Sequence, residues 1–132
     1  MTPPPRAPSQ RKKDTLNRLE HDTDAWVATA DRGSGTPYLV PLSFLWDGTT
    51  LLIATPSSSP TSRNLHATGK VRLAIGPTRD LVLIEGSVHP LRTSEISDEV
   101  GDAHPVRLQA WREDNELEDR ELMRGGRWIV PE

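Results

Sequence analysis

The longest patterned stretch of the chain runs from Tyr38 to Ala54. Tyr38, Val40, Leu42, Phe44 and Trp46 alternate with Leu39, Pro41, Ser43 and Leu45, the period-two pattern of a strand with one large apolar face. Leu51, Leu52, Ile53 and Ala54 read as the return strand. Asp47-Gly48 between them is the dipeptide of a two-residue type I′ turn, in which both central residues need positive φ. Upstream, Asp14–Asp22 reads as a short helix capped by Asp14 with Leu16 and Leu19 on its apolar side. Ala25–Ala30 is a strand that carries Trp26 into the core, and DRGSGT is a turn.

Downstream, Ser59-Pro60 is a helix start, with Ser59 as N-cap and Pro60 as first helical residue, and Gly69 ends that helix. Lys70–Gly76 alternates, with Val71, Leu73 and Ile75 on one face. Leu81–Ile84 is continuously apolar and predicts a strand buried on both faces, with Gly86 marking a bulge or a close approach. Val88–Leu91 continues that strand. Ser94–Ala103 is acidic and reads as a helix broken by Pro105. Val106, Leu108 and Ala110 form the next strand, Arg112–Asp119 is a charged and solvated run, and Leu122–Val130 is a small terminal hairpin. Strands dominate and are joined by short turns. The expected fold is mainly β, an antiparallel sheet closed into a small barrel with peripheral helices at its rim. A long apolar hairpin leaves a face to cover, so a homodimer is expected.

Charge and composition narrow the function. The 132 residues make one domain, and a net charge of −3 gives no electrostatic case for nucleic acid or an anionic membrane. There is no cysteine, hence no disulfide, thiolate metal site or thiol nucleophile. Without an apolar segment of about 18 residues, a soluble cytoplasmic protein is expected. Residues 1–13 hold four prolines and four basic side chains but no large core former, and read as a disordered tail; the folded domain is 14–132.

The sharpest chemical signal is the loop after Thr55. Thr55, Ser57, Ser58, Ser59, Thr61 and Ser62 place hydroxyls beside Arg63 at a helix start, a set suited to a phosphate. A capped polar linker is the bland alternative. Pro41 removes a ladder donor in mid-strand, which marks an edge, a bulge or a place where a planar ligand lies on the backbone. Glu85 in an apolar strand needs a donor, Arg72 or Arg79. The four histidines show no metal spacing, and neither a nucleophile elbow nor a P-loop occurs.

The run TPYLVPLSFLWDGTTLLIATPSSSPTSRNLHATGKVRLAIG, followed by RDLVLIEGSV, VRLQAWRE and ELMRGGRWIV, resembles the pyridoxamine 5′-phosphate oxidase-like family. The resemblance implies a six-stranded antiparallel split barrel of the FMN-binding type, a homodimer, and a flavin cofactor at the dimer interface. It assigns Val40, Pro41, Leu42 and Ser43 to the cofactor ring and Thr55, Pro56 and Ser57 to its ribityl chain and phosphate. It assigns Ser62, Arg63 and Asn64 to a phosphate clamp whose third residue is lysine elsewhere in the family. That loss of charge leaves the deazaflavin coenzyme F-420 as an alternative to FMN. The segment before Pro105 is also shorter than in relatives. The implied activity is hydride transfer to or from a small organic substrate, with no side chain assigned as acid or base. The alternative is a non-catalytic flavin or tetrapyrrole binder, or a degenerate dimerisation module.

Overall fold

The computed structural model describes residues 2–91 and 98–131. In chain order the elements are α1 (Pro8–His21), β1 (Asp24–Ala30), β2 (Pro37–Trp46), β3 (Leu51–Pro56), α2 (Pro60–Thr68), β4 (Lys70–Ile75), β5 (Asp80–Leu91), β6 (Asp98–Arg112), a 3-10 turn (Asp114–Glu116), β7 (Glu121–Arg124) and β8 (Arg127–Trp128). All pairings are antiparallel and run β3-β2-β1-β4-β5-β6, and β6 returns to β3, with Leu51 opposite Ala103. The six strands therefore close into a ring, the expected barrel, and β7-β8 hang on the free half of β6. Over Pro37–Ser43 β2 pairs with β1 alone, because β3 meets only Phe44–Trp46; this is the open seam, and Pro41 sits in it.

Alternation along the strands fills the ring. Val27, Phe44, Leu51, Ile53, Leu73, Ile75, Ile84 and Leu108 point inward and are buried. Two glycines follow their predicted roles. Gly69 ends α2 with φ of 66°. Gly86 adjoins the bulge in β6, where the pairing steps from Glu85–Arg107 to Gly86–Pro105 and leaves Val106 without an opposite residue. A Cβ on Gly86 would stand 3.0 Å from the carbonyl oxygen of His104.

Several expectations are corrected. The hairpin turn is displaced by one residue: Gly48 carries the positive φ, Asp47 does not. The Asp47 carboxylate accepts the backbone N–H groups of Thr49 (2.9 Å) and Thr50 (2.7 Å). These bonds favour its ionised form and hold its carboxyl well below the usual range. Trp26 is 52% exposed, not core, because the even-numbered positions of β1 face outward. Of the apolar run Leu81–Ile84, Val82 and Ile84 are buried, while Leu81 and Leu83 are half-buried on the outer face. Of the acidic helix expected at 94–103, residues 98–103 belong to β6; the rest lies outside the described residues.

The largest departure is at the N-terminus. The structure starts α1 at Pro8 rather than Asp14, and packs Arg11 and Lys12 against the barrel instead of leaving them in a disordered tail. Arg11 Nη1 donates to the Asp119 carbonyl at 3.0 Å and Lys12 Nζ to that of Val130 at 3.1 Å. Arg6 donates its backbone N–H (2.8 Å) and Nη2 (2.7 Å) to Glu116. Glu116, read from sequence as solvated, is buried and also accepts the backbone N–H of Arg112 at 2.7 Å. Burial alone would raise its carboxyl, but the bonds from Arg6 and Arg112 overcome that and hold it at about 2.

Candidate functional site

The junction of β3 and α2 holds the predicted phosphate corner. Thr61, Ser62, Asn64 and Leu65 are buried on the barrel side of α2, which turns Arg63 outward. Ser59 caps the helix, its Oγ accepting the Ser62 N–H at 3.1 Å, and also shares a 2.9 Å hydroxyl bond with Thr55. Asn64 Nδ2 donates to Thr29 Oγ1 at 3.1 Å, so its side chain ties α2 to β1. Thr55, Ser62 and Asn64 thus turn inward. Pro56, Ser57 and Arg63 are exposed. Among the described residues the Arg63 guanidinium makes one long contact, 3.4 Å from Nη1 to the Ser58 carbonyl, which leaves most of its N–H donors without a partner there. Its charge reaches the β1–β2 turn. There the Ser34 N–H and hydroxyl lower the carboxyl of Asp31, and Arg63 adds to that shift.

The four predicted ring-lining residues divide by strand parity. Val40 and Leu42 are half-buried, with Leu42 packed on the core. Pro41 and Ser43 stand on the outer face, Pro41 opposite Trp26, and Ser43 Oγ donates to Asp24 Oδ1 at 3.1 Å. On that face a groove of about 420 Å³ lies across the hairpin, bounded by Thr23, Ser43, Leu45, Leu52 and Ala54. It ends next to Thr55, where the strand gives way to the loop before Arg63. Sequence reading missed Leu45 and Ala54 as lining residues. The available signal was the outward parity of Leu45, which is 70% exposed beside the 61% exposed Leu39. Glu85 takes Arg72 at 2.8 Å, as expected, and also Arg107 at 3.3 Å; Arg79 pairs with Glu113 instead.

No group of acidic or histidine side chains among the described residues could hold a metal ion. Among them, too, no helix is long and apolar enough to cross a membrane.

A six-stranded antiparallel ring open along one seam, with a helix start at the end of its third strand, defines a split-barrel protein. Residues 13–125 match the family model described as pyridoxamine 5′-phosphate oxidase, and the chain belongs to that family. Its fold recurs in a putative pyridoxamine 5′-phosphate oxidase of Listeria innocua at 16% identity and a TM-score of 0.65, covering 80% of this chain and 98% of that one. An F-420 reductase aligns at 19% identity and a TM-score of 0.59, covering 70% and 93%. A FAD-binding protein of Mesorhizobium loti aligns at 14% identity and a TM-score of 0.60, covering 74% and 89%. A comparison with curated proteins finds no match.

Proposed function

We propose that this chain is the protein half of a flavin-dependent oxidoreductase that binds FMN, or alternatively the deazaflavin F-420, and acts on a small organic substrate. The observation that carries the reading is the groove between Ser43 and Ala54, whose β3 wall stops one residue before Thr55 and the loop that carries the exposed Arg63. Its volume, about 420 Å³, is in the range of ligand pockets. The donor set fits a phosphorylated planar group at two places. The outer positions of β2, Pro41 and Ser43, offer a shallow apolar bed with one hydroxyl. Arg63 offers an available guanidinium for the anionic end. Ser57 and the backbone of Pro56 lie between them in sequence. When bound, such a ring supplies the hydride donor or acceptor. The chain's contribution is to hold the ring flat on the β2–β3 face, to anchor its charge, and to exclude water with the apolar side chains around it.

A homodimer belongs to this reading. Trp26, Leu39 and Leu45 stand out from the β1–β2–β3 outer face, and a second copy covering them would also roof the groove. FMN and F-420 titrated separately into purified protein, followed by absorbance and fluorescence, test the proposal. Micromolar binding of one of them supports it; binding of neither overturns it.

A second reading has its own support. Asn64 is engaged by Thr29 and Thr55 by Ser59, so the corner presents one cation where relatives implied two. A non-catalytic binder needs no more than that. Turnover of the reduced cofactor with any acceptor excludes this second reading.

A further inference from the structure

We infer a second ligand site on the outer face of the barrel, one that takes a small organic anion: a carboxylate on a compact apolar body. A groove of about 650 Å³ opens where β1, β4 and β5 lie beside the bulge of β6. Ala28, Ala30, Lys70, Gly86, Ser87 and Val106 line it. It shares no lining residue with the groove between Ser43 and Ala54.

The bulge beside Gly86 shapes this groove. A Cβ on Gly86 would point inward and meet the His104 carbonyl at 3.0 Å and the core side chain of Val71 at 3.6 Å, so β5 and β6 come close there and Glu85 and Ser87 flank the groove on the outer face. Val106, the unpaired residue of the bulge, is turned outward and forms one wall, although the alternation of β6 alone would have placed it with Leu108 and Ala110 in the core. Ala28 and Ala30 give β1 a low apolar surface opposite that wall.

The polar groups at the rim are not equivalent. Arg72 is engaged by Glu85 at 2.8 Å, and Glu85 also takes Arg107. The Thr68 hydroxyl donates to the Asn64 carbonyl at 2.8 Å and accepts the Lys70 backbone N–H at 3.2 Å. Lys70 and Ser87 stand directly opposite each other in the β4–β5 register. Among the described residues, neither the Lys70 ammonium nor the Ser87 hydroxyl has a protein partner. The groove therefore pairs an apolar floor with one uncompensated positive charge and an adjacent hydroxyl. A bare inorganic anion would leave the floor unused, and a neutral apolar molecule would leave Lys70 unmatched. An amphiphilic anion satisfies both.

Octanoate is the probe, with octanamide as its neutral counterpart, both titrated into the full-length protein and followed by amide chemical shifts. The expected result is saturable binding of octanoate that moves the amides of Ala28, Ala30, Lys70, Ser87 and Val106. Octanamide should bind about fivefold more weakly, the size of one partly exposed charge contact. Lys70→Gln should remove that preference while leaving octanamide unchanged, and Ala30→Trp, which fills the groove from an exposed position, should abolish both. Arg63→Ala should leave octanoate binding intact, which separates this site from the proposed cofactor corner. Equal affinity for the two probes, an unchanged affinity in Lys70→Gln, or shifts that map to Ser43 and Ala54 would overturn the inference.

Discussion

Replacing Glu116 with glutamine keeps its shape and removes its charge from a place that water does not reach. The side chain is 0% exposed and accepts from Arg6 and Arg112, while Arg11 Nε stands 3.6 Å away with no hydrogen bond of its own. The carboxyl is held at about 2 against an ordinary 4.5. A shift of that size corresponds to roughly 3 kcal/mol of stability. Breaking a buried ion pair from one side costs about 3–5 kcal/mol, so the two routes agree. For a domain of this length the unfolding midpoint should fall by roughly 10 °C. The pH dependence carries the sharper test. A carboxyl with a depressed folded pKa contributes fully above its unfolded value of 4.5 and loses that contribution as pH falls through about 2. Urea unfolding of wild type and Glu116→Gln, followed by circular dichroism between pH 7 and pH 2, should show a gap that is constant down to about pH 4.5 and closes toward pH 2. A gap under about 1 kcal/mol at pH 7, or one that does not change with pH, would refute the reasoning.

Arg63→Ala should weaken binding of FMN or F-420 about tenfold or more, the loss of one charge-assisted contact, while the unfolding midpoint stays unchanged. Asn64→Ala should do the reverse: it leaves the Thr29 hydroxyl buried without its 3.1 Å partner and costs about 1–3 kcal/mol in urea unfolding, with cofactor titrations unaltered. Gly69→Ala forces a side chain into a φ of 66° and should cost about 1 kcal/mol by the same unfolding measurement. Trp26→Ser combined with Leu39→Ser should convert a dimer into a monomer in analytical ultracentrifugation; a wild-type protein that already sediments as a monomer refutes the proposed interface.

Local patterns foretold most of the barrel. Ser59-Pro60 and Gly69 bound α2 because capping is decided by neighbours one to three residues away, and the β2 alternation placed Phe44 inward for the same local reason. Contacts across long separations were out of reach. Nothing near Glu116 in sequence reveals that Arg6 folds back on it, so a charged run looked solvated and a basic segment looked unstructured. Trp26 was misplaced because a large aromatic side chain carries no mark of which face of its strand is covered. The candidate site divides along the same line. The exposure of Arg63 follows from its place in a capped helix start, whereas the inward turn of Asn64 depends on Thr29, a residue on a different strand.

The clasp of Arg6, Arg11 and Lys12 onto Glu116, Asp119 and Val130 sets an order of events during synthesis. Arg18 of α1 can meet Asp80 once β5 is made, yet the groups on Glu116, Asp119 and Val130 that hold Arg6, Arg11 and Lys12 are made more than 100 residues after them. Until then these three side chains lack those partners, and nascent chains halted short of Glu116 should leave the start of α1 open to proteases while the β1–β2 hairpin is already paired.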